Sequence, residues 1–383
     1  MQVYADNAAT TAMSRTAIDA MLPYLDNIYG NPSSLHSVGQ RAKEALDAAR
    51  ETVAQCLGCE PREIIFTSGG SEADNQAITS AAYLGARKGK KHIISTTFEH
   101  HAVLHTLKRL EKQGFEVTLL DVHADGLVSA QQVADAIRDD TCLVTIMFAN
   151  NEIGTIQPIE AIGAVCHERG VLFHTDAVQA AGHVKIDVNA MHIDLLSLSA
   201  HKFHGPKGVG MLYARRGIIL TNLIEGGAQE RGKRGGTENV PGIIGLGEAV
   251  RTYPQGAAEK MMALKTRLLT DLQEAIPAAK RNGPELDDPL CAPHILSVSL
   301  SPVRSQTMLF ALEGDGIYVS AGSACAAHKQ KVSGVLTAMG LSPAEADCTL
   351  RFSLCPDNTE AEMDAVAQRV KKHYDLLKAY VRR

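Results

Sequence analysis

What most constrains this chain is the order of its strand-like runs. Short segments rich in apolar residues at 63–66, 91–95, 116–120, 143–148, 171–176 and 193–198 are interleaved with longer stretches of helical periodicity, among them 42–53, 130–137 and 159–168. A run of five or six such residues suits a strand buried on both faces, and parallel strands need a crossover helix between them. The expected architecture is α/β, with a mostly parallel sheet covered by helices. From about residue 257 the pattern changes to a smaller α+β unit. A long helix to 276 precedes strands at 294–300 and 351–354 and short helices at 306–312 and 333–339. The last helix opens on a capping box, Thr359 with Glu362, and Met363, Val366, Ala367, Val370 and Tyr374 form its apolar stripe. A chain of 383 residues is long enough for two domains. The expected division is a large domain over 15–255 and a smaller one made of 256–383 with an N-terminal arm, 1–14.

The run at 193–198 ends in Ser199, Ala200, His201 and Lys202, followed by Gly205-Pro206 and glycines at 208 and 210. Lysine is rarely buried without a partner, so one at the end of a buried strand invites a chemical reading. Desolvation lowers its pKa and frees the amine to attack a carbonyl. A surface lysine in a glycine-rich turn is the plainer alternative. Ser199 and His201 flank Lys202 as potential phosphate donors, which points to a pyridoxal phosphate site. That cofactor needs a carboxylate against its ring nitrogen, and Asp176 stands at the end of the run at 171–176. Gln179, just beyond, is in reach of the cofactor's phenolic oxygen. Upstream, a strand leads into Thr67-Ser-Gly-Gly-Ser-Glu72 and a helix start, a geometry that aims free backbone N–H groups at an anion. Gly70 and Ser71 are the expected phosphate holders. No Gly-Lys-Ser/Thr follows, which argues against a nucleotide-binding P-loop.

Three further motifs follow strand-like runs or turns. Glu99-His100-His101-Ala-Val103 closes the run at 91–95, and an imidazole there suits stacking on a ring and proton transfer near neutral pH. Asn150-Asn-Glu-Ile-Gly154 follows the run at 143–148, and Arg351 lies in Leu350-Arg-Phe-Ser353, where its guanidinium suits a carboxylate clamp. Gly322-Ser-Ala-Cys325 opens a polar stretch containing His328, Lys329 and Lys331, and positive neighbours favour a reactive thiolate at Cys325. The pair Cys56 and Cys59 reads instead as the close of a helix, since no second pair or histidine cluster completes a metal site.

Taken with Tyr4-Ala-Asp-Asn-Ala-Ala-Thr-Thr11 at the start, this set resembles the class V aminotransferase branch of pyridoxal phosphate enzymes, and within it the cysteine desulfurases of the NifS/IscS type. The likeness covers nearly the whole chain and implies the fold type I transferase architecture. It implies His100, rather than His101, as the ring-stacking histidine, and Asn151 as a contact to cofactor and substrate carboxylate. It assigns Lys202 as the cofactor lysine, Arg351 as the substrate clamp and Cys325 as the residue that receives sulfur from L-cysteine, leaving L-alanine. It also implies a homodimer in which the glycine-rich stretch 226–239 carries Thr237 to the other subunit's cofactor phosphate. The sulfur would pass to an acceptor or iron–sulfur scaffold protein, in cluster assembly or thiolation. At 326–331, alanines and basic residues replace the family's usual small hydroxyl residues. The alternatives are a selenocysteine lyase, another class V enzyme such as an aminotransferase, and a non-catalytic sulfur-carrier scaffold.

Composition sets the remaining bounds. A formal net charge of −5 gives no electrostatic case for nucleic acid or an anionic membrane. No basic-plus-apolar leader is evident and no apolar run is long enough to span a bilayer. Eight cysteines without regular spacing point to a reducing compartment, and the cytoplasm is the expected location. No metal is expected.

Overall fold

The central element is a seven-stranded sheet with strand order β2-β8-β7-β6-β5-β3-β4. In chain order the strands among the described residues are β1 (Val3–Tyr4), β2 (Ile64–Thr67), β3 (His92–Thr96), β4 (Glu116–Leu120), β5 (Thr141–Thr145), β6 (Leu172–Asp176), β7 (Leu195–Ser199), β8 (Gly210–Ala214), β9 (Lys280–Asn282), β10 (Ile295–Ser299), β11 (Ile317–Tyr318) and β12 (Thr349–Ser353). The structure, a computed structural model, describes residues 1–322 and 333–380.

Strands β3 to β7 are parallel, and β8 runs antiparallel to both of its neighbours, β7 and β2. That exception follows from connection length. Only residues 200–209 separate β7 from β8, too few for a crossover helix, so the chain must turn back. Because β8 is reversed, β2 again points the same way as β3 to β7. The carboxyl ends of β2, β3, β5, β6 and β7 therefore share one edge of the sheet. β5 ends at Thr145, short of the expected 148, yet Ile146 and Phe148 still donate backbone hydrogen bonds to His174 and Asp176 at 3.2 and 2.8 Å.

Every residue of β2, β3, β5, β7 and β8 is buried, as strands covered on both faces must be. Helix Gly70–Ala86 packs against β5, β7 and β8 on one face. The other face carries a larger apolar cluster that includes Leu46, Val53, Phe66, Phe148, Phe173 and Leu246. Helix Ser37–Leu57 ends where Gly58 takes φ 72°, a left-handed C-cap, so the Cys56–Cys59 pair brackets a helix end as expected.

A second sheet of three strands, β12-β10-β9, is antiparallel, and β1 pairs in parallel with β11. A separate apolar cluster gathers Val3 and Ala5 with residues from 257 to 374, including Leu268, Val298, Phe352 and Val366. The expected stripe Met363, Val366, Ala367, Val370 and Tyr374 is buried, and Thr359 and Glu362 form both halves of the capping box. The short helices around 335–346 pack instead on the larger cluster, through Val335, Leu336, Met339 and Ala346.

Candidate active site

Residues just past the shared strand edge converge on a pocket of about 510 Å³. β7 delivers Ser199, His201 and Lys202; β6 delivers Asp176 and, three residues on, Gln179. The segment after β3 contributes His100, and the turn after β5 contributes Asn151. β2 leads into Gly70 and Ser71, and Arg351 reaches the same pocket from β12 of the other sheet. Ten residues singled out in the sequence thus line one cavity, although they span positions 70 to 351.

The helix Gly70–Ala86 presents its first turn to this cavity, and among the described residues no side chain caps its start at Gly69. Its leading N–H groups are therefore available to an anion. A Cβ on Gly70 would stand 2.5 Å from Val178 Cγ2, so only glycine lets the helix start come this close to the β6 edge. A Cβ on Gly69 would lie 3.6 Å from Ser199 Oγ, which places that hydroxyl beside the helix start. His201 lines the cavity with Nδ1 3.1 Å from Thr10 Oγ1. Burial, reinforced by Lys202 and Lys207, pushes its imidazole down to about 4, so the ring is neutral at physiological pH.

Asp176 is buried, and its Oδ1 accepts the Val178 N–H at 3.0 Å. Burial raises its pKa, while His100 and Lys202 pull it back. Such a carboxylate favours a cation beside it, because the charge is otherwise costly away from water. His100 caps the helix His101–Glu111 and accepts the Ala102 N–H at Nδ1, 3.2 Å away, so Nε2 carries the proton of the neutral ring. Lys202 Nζ donates to the carbonyls of Ala8 and Ala9 at 2.7 and 2.9 Å. Gln179 donates to the same Ala8 carbonyl at 2.9 Å. The arm 1–14 thus closes the pocket over Lys202.

Arg351 is 2% exposed; Nη1 donates to the Asn151 carbonyl at 2.7 Å and Nη2 to Asp6 Oδ1 at 2.8 Å. Its Nε has no partner among the described residues. Part of the guanidinium fork is therefore left to meet a carboxylate.

Thr237 does not line this cavity. It is exposed and borders a smaller neighbouring pocket that shares Ser68 and Gly208 with the main one. The stretch around it is tied down rather than loose: Glu230 forms a two-pronged ion pair with Arg50, both bonds 2.8 Å and both side chains buried. Cys325 lies outside the described residues.

Sequence reasoning did not single out several polar groups at this edge. Lys207 also lines the cavity, and Asp6 is the partner of Arg351. Glu99 is wholly buried, accepting from Thr96 Oγ1 at 2.8 Å and the Met147 N–H at 2.9 Å, and burial lifts its carboxyl to about 8. Asp74, 3.6 Å from His174, is raised well above the usual range by burial and by Asp176. Behind Gln179 the rings of His294 and His183 stack at 3.7 Å, and His294 Nε2 sits 3.3 Å from Gln179 Oε1. Asp6, Asp74, Glu99 and Lys207 lie within or beside the segments that mark the site in sequence, whereas His183 and His294 are brought there by topology.

An anion-holding helix start, a buried carboxylate, an amine and a guanidinium in one pocket suit a small molecule bearing a phosphate, a basic ring nitrogen and an aldehyde, together with an α-amino acid. Comparisons with known proteins point the same way. The profile of the family described as aminotransferase class-V matches residues 3–366. The protein named cysteine desulfurase IscS of Clostridium botulinum is 49% identical over 374 residues, 97% of this chain and 94% of that one. A solved structure of a NIFS-like protein superposes with a TM-score of 0.91 at 39% identity, covering 98% of this chain and 100% of that one. Another, of SspA in complex with cysteine, gives a TM-score of 0.83 at 40% identity, over 94% of this chain and 100% of that one.

Proposed function

Because the chain belongs to the class V aminotransferase family, with the fold and sequence of its NifS/IscS-type cysteine desulfurases, we propose that it takes sulfur from L-cysteine, releases L-alanine and holds the sulfur as a persulfide on Cys325. The observation that carries this reading is the convergence of Lys202, Asp176, His100 and Arg351 on one pocket. The structural neighbour SspA, solved in complex with cysteine, supports the choice of substrate.

The residues present fit pyridoxal phosphate. The uncapped helix start at Gly70 and Ser71, with Ser199 and His201 beside it, suits the phosphate. Asp176 suits a protonated ring nitrogen, Gln179 the phenolic oxygen, and His100 a ring face. Bound there, the cofactor supplies a carbonyl for the substrate amine and a ring that stores electrons from the substrate's Cα.

The chain's own groups do the rest. Arg351 and Asn151 hold the substrate carboxylate, which fixes the Cα–H bond toward Lys202. Lys202 exchanges its contacts with Ala8 and Ala9 for the Cα proton, and His100 serves as a second proton carrier. Asp176 stays ionised and keeps the proton on the ring nitrogen. The Cys325 thiolate attacks the substrate sulfur; the carbon–sulfur bond breaks, a sulfur–sulfur bond forms, and the three-carbon remainder leaves as alanine.

Residues 15–255 act in this reading as the cofactor-holding domain, and 1–14 with 256–383 as the smaller one; the separate apolar cluster of Val3 and Ala5 with the C-terminal region supports the division. The working form is a homodimer in which Thr237, exposed and outside its own chain's main pocket, meets the phosphate held by a second copy. An acceptor or iron–sulfur scaffold protein then takes the sulfur. All seven cysteines among the described residues are free, in keeping with a reducing cytoplasm.

The test is product analysis. Holoenzyme given L-cysteine and a thiol reductant should release L-alanine and sulfide in equal amounts. Formation of a keto acid with loss of the amino group from the substrate would instead identify an aminotransferase.

A further inference from the structure

A second cluster of donor groups lies two residues past Lys202 and four past Arg351. A ring nitrogen of His204, Sγ of Cys355 and a carboxylate oxygen of Asp357 all lie within 4.8 Å of one another. None of the three lines the active-site pocket. They border a separate open cavity of about 450 Å³ together with Tyr4 and Glu362.

His204 is set up as a ligand. Its Nδ1 lies 2.9 Å from the Ala12 carbonyl, which only accepts, so Nδ1 carries the proton and the lone pair is on Nε2. Metal-bound histidines are held in this way by a carbonyl on the other nitrogen. The ring's position is also forced by the backbone. His204 takes φ 66°, a left-handed conformation unfavourable for a side chain of this size, held by its N–H donating to Thr11 Oγ1 at 2.8 Å.

Cys355 is buried and starts the turn Cys355-Pro-Asp-Asn358. Its N–H donates to Asn358 Oδ1 at 2.9 Å, and the Asn358 N–H returns to the Cys355 carbonyl at 3.1 Å. Burial raises this thiol's pKa, while the backbone N–H groups of Asp357 and Asn358 favour its thiolate. A metal would supply the missing stabilisation and release the thiol proton to solvent. Asp357 is exposed, so its carboxylate is free to rotate inward. Ligand atoms around a tetrahedral zinc stand about 3.5 Å apart, a spacing that rotation of this side chain can reach.

We propose that His204, Cys355 and Asp357 bind a divalent transition metal of the zinc class, with the fourth position open to water. One imidazole, one thiolate and one carboxylate match that ion's preferences, and three protein ligands with an open place are its usual arrangement where exchange or chemistry is required. The ion would tie the turn after Lys202 to the chain just after β12, two segments that follow strands of different sheets.

Cobalt(II) is the probe, because a thiolate ligand gives it a charge-transfer band that separates this site from oxygen-only sites. Metal-stripped holoenzyme should take up one equivalent of Co²⁺ with that band, and Cys325→Ser holoenzyme should do the same. Cys355→Ser should lose the band, and Asp357→Asn should weaken binding about tenfold or more. If Cys355→Ser does not fold, His204→Asn decides, since asparagine tolerates the left-handed backbone; it should lose tight binding with the cofactor still bound. A wild-type protein without the band at saturating Co²⁺, a band unchanged in Cys355→Ser and His204→Asn, or a band lost only in Cys325→Ser would overturn the proposal.

Discussion

Lys202 donates to the carbonyls of Ala8 and Ala9 at 2.7 and 2.9 Å, contacts that hold its amine in the pocket it shares with Asp176 and His100. Lys202→Ala should therefore cost roughly 10³-fold or more in turnover and remove the visible band of lysine-bound cofactor. Lys207, which also lines the pocket, is the natural control: Lys207→Ala should keep that band. Arg351 presents a different case, since Asp6 already engages one arm of its fork at 2.8 Å. Arg351→Lys keeps the charge but not the two parallel bonds, so KM for L-cysteine should rise about 10-fold or more, with a smaller fall in kcat. Steady-state kinetics of the two proteins check both. Lys202 was legible because a strand end and a glycine-rich turn mark it in sequence, and Arg351 because Leu350-Arg-Phe-Ser353 resembles a family motif. Asp6 was not, because its role depends on a partner 345 positions away.

At the scale of elements, the buried pair Arg50–Glu230 joins helix Ser37–Leu57 and β2 to the glycine-rich stretch, since Arg50 also donates to Ile64 and Glu230 accepts from the Phe66 N–H. Glu230→Gln leaves a buried guanidinium without its counter-charge and should lower stability by about 3–5 kcal/mol, read from denaturant midpoints. Glu99 gives a pH dependence. Its carboxyl is raised from 4.5 to about 8 by burial, so between those values the folded state keeps a proton that the unfolded state has lost. Its contribution is fully present below pH 4.5 and declines as pH rises through 8, by at most about 1.4 kcal/mol per pH unit. Glu99→Gln, measured without cofactor, should gain on wild type as pH rises across that window. A difference between the two that is flat with pH would place the charge elsewhere. Helix and strand positions were largely legible from periodicity, including the Thr359–Glu362 cap. Strand β8 was less legible because Gly210–Ala214 begins inside a glycine-rich turn, whose punctuation hides the start of its apolar run. Its reversal is a consequence of loop length, which periodicity does not report.

For the whole molecule, the sheet edge explains why residues from 70 to 351 meet: five of the six strands that end there lead into pocket residues, and the smaller sheet brings Arg351 across. The alternation of strands and helices made the parallel sheet legible, whereas the stacked His183 and His294 pair depends on packing that no local pattern encodes. If the exposed Thr237 completes the phosphate site of a second copy, Thr237→Ala should weaken cofactor retention several-fold without changing the oligomer, as dialysis and sedimentation would show. The central claim is that Cys325 receives the sulfur. The most direct measurement is mass spectrometry of holoenzyme after one equivalent of L-cysteine, without reductant, with alkylation and peptide mapping. One added sulfur on the Cys325 peptide for each L-alanine formed is the predicted result, with neither formed by Cys325→Ala holoenzyme that still carries its cofactor. Alanine formed at the wild-type rate by that variant, or the added sulfur on another cysteine, would contradict it.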